Sequence, residues 1–238
     1  MVKYKRLLLK LSGEYLGGEE GKGFNFDVIT QLSRQICYLH DSGVEIGIVP
    51  GGGNFFRGVN SLPIKFDRVS VDQIGMIATA INSICLKESL KNHGKKVTIL
   101  TGLGIPGIGA KFNKEKALNR LRQGDILIFS GGTSNPYFST DTAAVLRGLE
   151  IEADLVIKGT KVDGVYDRDP IKDANAVKFD KLSYSQVLER DLKVIDAVAI
   201  VLCRENNMPL RVLNISSQSD LIDFIKGEKI GTAIGSES

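Results

Sequence analysis

Apolar positions along the chain follow two rhythms. Short unbroken apolar runs fall at residues 6–11, 45–49, 97–100, 126–129 and 155–157, the pattern of strands buried on both faces. Between them, apolar residues return every three or four positions. Residues 26–42 carry Val28, Ile29, Leu32, Ile36 and Leu39 at helical spacing, with Gly43 placed to end the helix. The longest such pattern, 71–93, puts Ile74, Ile77, Ala78, Ile81, Ile84 and Cys85 on one stripe and stops at Gly94. Further helices are expected over 113–122, 142–151, 185–190, 194–206 and 220–226, a strand over 211–213, and an edge strand over 232–234. Residues 17–23 read as an exposed loop, and 158–177 as a long irregular stretch rich in Asp and turn formers.

Strands alternating with helices in this way predict an α/β three-layer sandwich, its mostly parallel central sheet flanked by helices. No internal repeat or linker interrupts it. A single domain over 1–238 is expected, with a soft boundary near 149–154 between two halves that share one sheet.

Composition narrows the picture. The net charge is +3, with Lys and Arg interspersed among Asp and Glu, so no basic stripe argues for nucleic acid. The N-terminal apolar core is too short and too charged for a signal peptide, and no apolar stretch is read as approaching membrane-spanning length. Cys37, Cys85 and Cys203 lie far apart in apolar helical patterns without a CxxC. They read as packing residues of a reducing compartment, and a cytoplasmic location is expected.

The chemistry gathers where strands end. Those ends read KLSG (10–13), GGGN (51–54), SGGTSN (130–135) and KGT (158–160). In an open parallel sheet, ligands sit beyond the carboxyl ends of the strands. Glycine lets backbone approach an anion closely, helix N-termini favour negative charge, and Lys10 adds a flexible cation suited to phosphate. The Walker pattern GxxxxGK[ST] is absent. A formal GxGxxG at Gly102, Gly104 and Gly107 is interrupted by Pro106, and the nearby Asp125 precedes the next strand, where it cannot meet a ribose.

In this order, KLSGE, GGGNFFRG, SGGTSNPYFSTDTAA and KGTKVDGVYDRDP resemble the amino-acid kinase superfamily, and within it the bacterial UMP kinase (uridylate kinase) family. The resemblance covers essentially the whole chain. Arg57, Asp72 and the NPYFSTD block point to uridylate kinases rather than to kinases of glutamate, aspartate, acetylglutamate or carbamate.

The resemblance implies ATP-dependent phosphorylation of UMP to UDP, with an N-terminal acceptor lobe (about 1–150) and a C-terminal ATP lobe (about 151–238). It implies that Lys10, Leu11, Ser12, Gly13, Gly53 and Arg57 contact ATP phosphates, while Thr160, Tyr166 and Asp169 surround the adenine nucleoside. By the same resemblance, UMP is held by Gly52, Asp72, Thr133, Ser134, Asn135, Pro136, Tyr137, Phe138, Ser139 and Thr140. Lys10, Arg57 and Asp141 are its implied catalytic set, and Mg²⁺ is bound through the nucleotide phosphates rather than by a protein cage. A homohexamer, inhibition by UTP and activation by GTP through Glu20, Gly21, Lys22 and Gly23 are further implications. Lys22 and Asn25 depart from the family's usual aromatic and aspartate, which bears on the GTP effector rather than on the active site.

Plainer readings stand beside these. Asp72 is favourable in the first turn of any helix, and Asp141 serves equally to start one. Lys158 is open between assisting and merely ending its strand. Tyr166 suits packing as well as stacking. His40 and His93 sit near helix C-termini, where a cation is favourable anyway. The lack of a catalytic histidine fits an acceptor that is itself a largely ionised phosphate. Another small-acceptor kinase of the superfamily and a non-catalytic nucleotide-binding or storage relative are the alternatives.

Overall fold

The structure is a computed structural model that describes residues 4–57, 66–192, 194–217 and 219–236. Gly58, the last residue of the GGGNFFRG block, lies outside them. The strands of the first half are β1 (Arg6–Leu11), β2 (Glu45–Pro50), β3 (Val97–Thr101), β4 (Ala110–Lys111) and β5 (Ile126–Ser130). Those of the second are β6 (Leu155–Thr160), β7 (Val165–Tyr166), β8 (Lys178–Phe179), β9 (Lys181–Ser183), β10 (Leu210–Asn214) and β11 (Thr232–Gly235). Among the described residues the central sheet has nine strands in the order β4-β3-β5-β2-β1-β6-β10-β11-β9. All neighbours pair in parallel except β10 with β11. β7 and β8 form a separate antiparallel pair.

Strand β1 sits near the middle of the sheet and alternates between two cores. Leu7, Leu9 and Leu11 face α2 (Phe26–Asp41), α3 (Arg68–Asn92) and α8 (Asp220–Lys226). Leu8 faces the opposite layer, built from α4 (Lys114–Arg122), α5 (Thr140–Glu150), α6 (Tyr184–Glu189) and α7 (Ala197–Glu205). Because side chains alternate along a strand, Lys10 lies on the Leu8 side, under the start of α5. Each fully buried Leu here is worth about 1.5–3 kcal/mol relative to exposure.

Several boundaries differ from those the sequence predicts, each for a physical reason. Strand β6 runs through Thr160, so Lys158 stands inside the strand and KGT does not follow it; the pairings with β1 and β10 on either side carry the extension. Strand β11 is not at the edge, because β9 pairs outside it. The two- and three-residue strands, and the single-turn helix α1 (Gly13–Leu16), are too short to leave a period. The 17–23 loop is only partly exposed, with Gly17, Gly18 and Gly21 buried.

Helix α3 is the main surprise. Most of the apolar stripe that periodicity picks out faces outward, with Ile74, Ile77, Ile81 and Ile84 each at least 40% exposed, while Ala78 of the same stripe is buried. The face on the sheet carries Ala78, Thr79, Asn82, Ser83, Leu86 and Leu90. By length and composition alone α3 could cross a membrane, which corrects the expectation that no stretch approaches that length. Its inward face, small and polar around Thr79 and Asn82 and apolar at Leu86 and Leu90, is packed against the sheet.

Candidate active site

Parallel pairing of β1 with β6 places Lys10 directly beside Lys158. Both side chains rise toward the first turn of α5, where Asp141 lies between them. Lys10 Nζ is 2.9 Å from Asp141 Oδ1, and Lys158 Nζ donates to Asp141 Oδ2 at 2.6 Å. All three side chains are 11–15% exposed. Burial would raise the Asp141 carboxyl, but the two ammonium groups outweigh it and hold its pKa below the ordinary aspartate value. Burial lowers the Lys158 pKa, against the pull of Asp141 and with a further push from Lys10. Two cations around one anion leave net positive charge in a sheltered place, which suits a phosphate.

Asp141 is fixed by its helix. Ser139 caps α5 by accepting hydrogen bonds from Asp141 N and Thr142 N. Ser139 Oγ in turn donates to Asp196, which also accepts from Thr142 Oγ1 and from Ala199 N at the start of α7. Asp196 thus joins the N-termini of two helices beneath the cluster. Nothing in the sequence period singles it out.

The glycine turns close over the same end of the sheet. A Cβ on Gly13 would lie 2.6 Å from Gly53 N, and one on Gly52 would lie 2.8 Å from both Ala78 Cβ and Gly75 O of α3. Only glycine permits these approaches. Thr79 Oγ1 accepts from Gly131 N at 2.8 Å, so α3 also holds the turn after β5.

Between these turns lies a cavity of about 150 Å³, lined in part by Gly52, Gly53, Asp72, Thr79, Phe138 and Thr140. Asp72 stands at its rim. Its carboxylate accepts from Arg68 Nε at 2.9 and 3.0 Å and from Tyr137 N at 2.7 Å. The Arg68 guanidinium also lies over the Tyr137 ring, 5.5 Å from its centroid. Ser134 and Tyr137 have φ of 70° and 73°, uncommon for residues with a side chain. Thr133 Oγ1 accepts from Asn135 N at 3.1 Å, tightening the same loop.

The sequence-predicted residues therefore divide. Lys10 and Asp141 meet, joined by Lys158. Gly52, Gly53, Asp72, Phe138 and Thr140 share the cavity. Arg57 is not brought to the lysine cluster; its nearest acid is Glu14, at 3.5 Å and half exposed. Ser12 begins α1 without a side-chain cap bond, and Leu11 accepts from Gly51 N. Thr160 spends its hydroxyl on Val162 O, Tyr166 donates to Asp163, and Asp169 accepts from Ile171 N; none of the three lines the cavity. Glu20 and Lys22 are exposed, Gly21 faces the Arg57 guanidinium, and Gly23 bonds to Asn54. Asn25 caps α2 through Val28 N. Arg68 and Asp196 carry no signal in the sequence, whereas Thr79 and Asn82 lie off the apolar stripe on the small, polar side beside Asp72, where spacing alone does not tell a cleft from a solvated face.

Residues 5–214 match the amino acid kinase family. A uridylate kinase of Bacteroides thetaiotaomicron is 48% identical, covering 98% of this chain and 99% of the relative. One of Porphyromonas gingivalis is 47% identical over the full length of both. The crystal structure of UMP kinase from Bacillus anthracis matches with a TM-score of 0.95 at 34% identity, over 99% of this chain and 97% of that one. With whole-length identity of this order and the same fold, the chain belongs to the amino acid kinase family, in its uridylate kinase branch.

Proposed function

We propose that the protein transfers the γ-phosphoryl group of ATP to UMP, giving ADP and UDP. The observation that carries this reading is the Lys10–Asp141–Lys158 cluster at the mouth of two glycine turns, in a chain whose relatives are uridylate kinases. An oxygen of the UMP phosphate attacks the γ-phosphorus, and the bond to the β-phosphate oxygen breaks as ADP leaves. The attacking group is already largely ionised near neutral pH. The protein's work is therefore alignment and charge neutralisation.

Lys10 and Lys158 face the phosphoryl group in flight, and Asp141 keeps both ammonium groups aimed. Leu11, Ser12, Gly13, Gly53 and Arg57 receive the remaining ATP phosphates, with Thr160, Tyr166 and Asp169 around the adenine nucleoside. Gly52, Asp72 and residues 133–140 hold UMP. The cavity is smaller than the roughly 300 Å³ at which small-molecule pockets begin.

Among the described residues no group of three or more His, Cys, Asp or Glu is placed to hold a metal ion, and Asp141 is engaged by two lysines. That donor set suits Mg²⁺ carried in on the nucleotide phosphates. When bound, Mg²⁺ supplies neutralisation of the phosphate charge. The finer reading includes a cytoplasmic, homohexameric enzyme in which UTP competes at the acceptor site. GTP activation through residues 20–23 belongs to the same reading. The outward apolar stripe of α3, with Phe55 and Phe56 beside it, is the surface best suited to self-association.

Release of ADP measured with UMP, CMP, dUMP, glutamate and carbamate tests the proposal. UMP is expected to be preferred over CMP by on the order of a hundredfold or more, because a site bonded to one base edge leaves groups unpaired with another. Comparable rates with UMP and CMP would return the protein to the wider superfamily.

A further inference from the structure

Asn54 and Asn82 form a buried pair that the roles above leave unused. They are 5% and 0% exposed. Their amides bond reciprocally: Asn54 Nδ2 donates to Asn82 Oδ1 at 2.9 Å, and Asn82 Nδ2 donates to Asn54 Oδ1 at 2.7 Å. The second hydrogen of each amide goes to backbone, from Asn82 to Gly51 O at 2.6 Å and from Asn54 to Gly23 O at 2.7 Å. Those carbonyls can only accept, which fixes the way both amides point. Gly23 N returns a hydrogen bond to Asn54 O at 3.1 Å. All four amide hydrogens are thus spent, in a place where an unpaired polar group would be costly.

The three segments joined in this way are far apart in sequence. Asn82 belongs to the inward face of α3, the helix that also carries Thr79 and Asp72. Gly51 opens the turn that lies against Gly13 on one side and α3 on the other. Gly23 closes the loop after α1, and Lys161 reaches the same loop from beyond β6 by donating to Gly18 O at 3.0 Å. A four-donor knot at this junction does more than fill space, because it ties α3 to the backbone of the Gly51 turn, which lies against Gly13, and to the loop that ends at Gly23.

We infer that Asn82 and Asn54 act together as positioning residues for phosphoryl transfer, locking the turn of residues 51–53 to α3 and making the loop of residues 17–23 move with it. A displacement of that loop is then felt at the turn, and a substrate that orders the turn also orders the loop. The kinetic readout of this inference rests on the UMP kinase reading; the structural readout does not.

The test combines Asn82→Ala, the milder Asn82→Ser, Asn54→Ala and the Asn82→Ala/Asn54→Ala double variant in the full chain. Hydrogen exchange should speed up by about tenfold in residues 17–25 and 51–56, with α5 unchanged. With ATP and UMP, kcat should fall by about 10- to 100-fold, with KM for either nucleotide changing less. The double variant should cost no more than the worse single, as residues acting as one unit do. Exchange that is unchanged in the 17–25 segment, or raised uniformly along the chain, overturns the inference. Single-variant costs in kcat that simply multiply do so as well. If the parent chain fails to phosphorylate UMP, only the functional reading falls, and exchange still decides the coupling.

Discussion

Lys10 and Asp141 carry the sharpest expectations at the scale of single residues. Lys10→Ala should lower kcat by about a hundred- to a thousandfold, as loss of one preorganised electrostatic contact does. A correctly folded variant within threefold of the parent would remove Lys10 from the mechanism. Asp141 makes a prediction about pH. Its folded pKa is depressed, so the stability it contributes is present above its ordinary value of about 3.8 and is lost as pH falls through the folded value. Denaturant unfolding at about pH 7 and about pH 3 should show a steeper acid loss in the parent than in Asp141→Asn. Equal slopes would mean that the carboxylate is no better stabilised in the folded chain than in the unfolded one. The reason Lys158 stays open in the sequence while Lys10 stands out is local. Lys10 precedes a visible break, LSG, whereas Lys158 sits inside a strand whose length only its neighbours reveal.

Helix α3 shows at the next scale why some elements are legible and others not. Its extent is readable because a helical period over more than twenty residues survives any local ambiguity. Which face it buries is not, because the period reports where apolar residues lie and not what they touch. The inward stripe is small and polar because two glycine turns press against it, at Gly52 and Gly131. Larger apolar residues there would close the cavity. The outward Ile74, Ile77, Ile81 and Ile84 then need another cover, and a second copy of the chain meets that need by symmetry. Light scattering coupled to size exclusion should give an oligomer for the parent and a smaller species for Ile81→Lys, with unchanged circular dichroism. A monomeric parent at assay concentration would sink the assembly. The strands of two or three residues lie beyond sequence reading for the opposite reason, since β4, β7, β8 and β9 exist only through pairing partners.

For the whole molecule, the alternation of strand and helix foretells the layered sheet, while the strand order, and with it the meeting of Lys10 and Lys158, comes only from tertiary pairing. The two halves are not separable bodies, because β1 pairs with β6 along five residue pairs, from Leu7 with Leu155 to Leu11 with Gly159. A fragment ending near residue 150 would expose β1 as a bare edge. Expressed alone it should aggregate or remain unfolded by circular dichroism, and a soluble folded fragment would refute this. The same pairing has a consequence for how the chain matures. A slip of one residue between β1 and β6 would turn Lys158 into the opposite core and carry Ile157 to the charged side. The lysine cluster can therefore form only when the halves have found their correct alignment, and a misaligned chain would be compact yet silent. Enzymatic activity then reports whether β1 and β6 have paired in the correct register. Its recovery during refolding should lag behind the return of helix content, by the time needed for these distant segments to find each other.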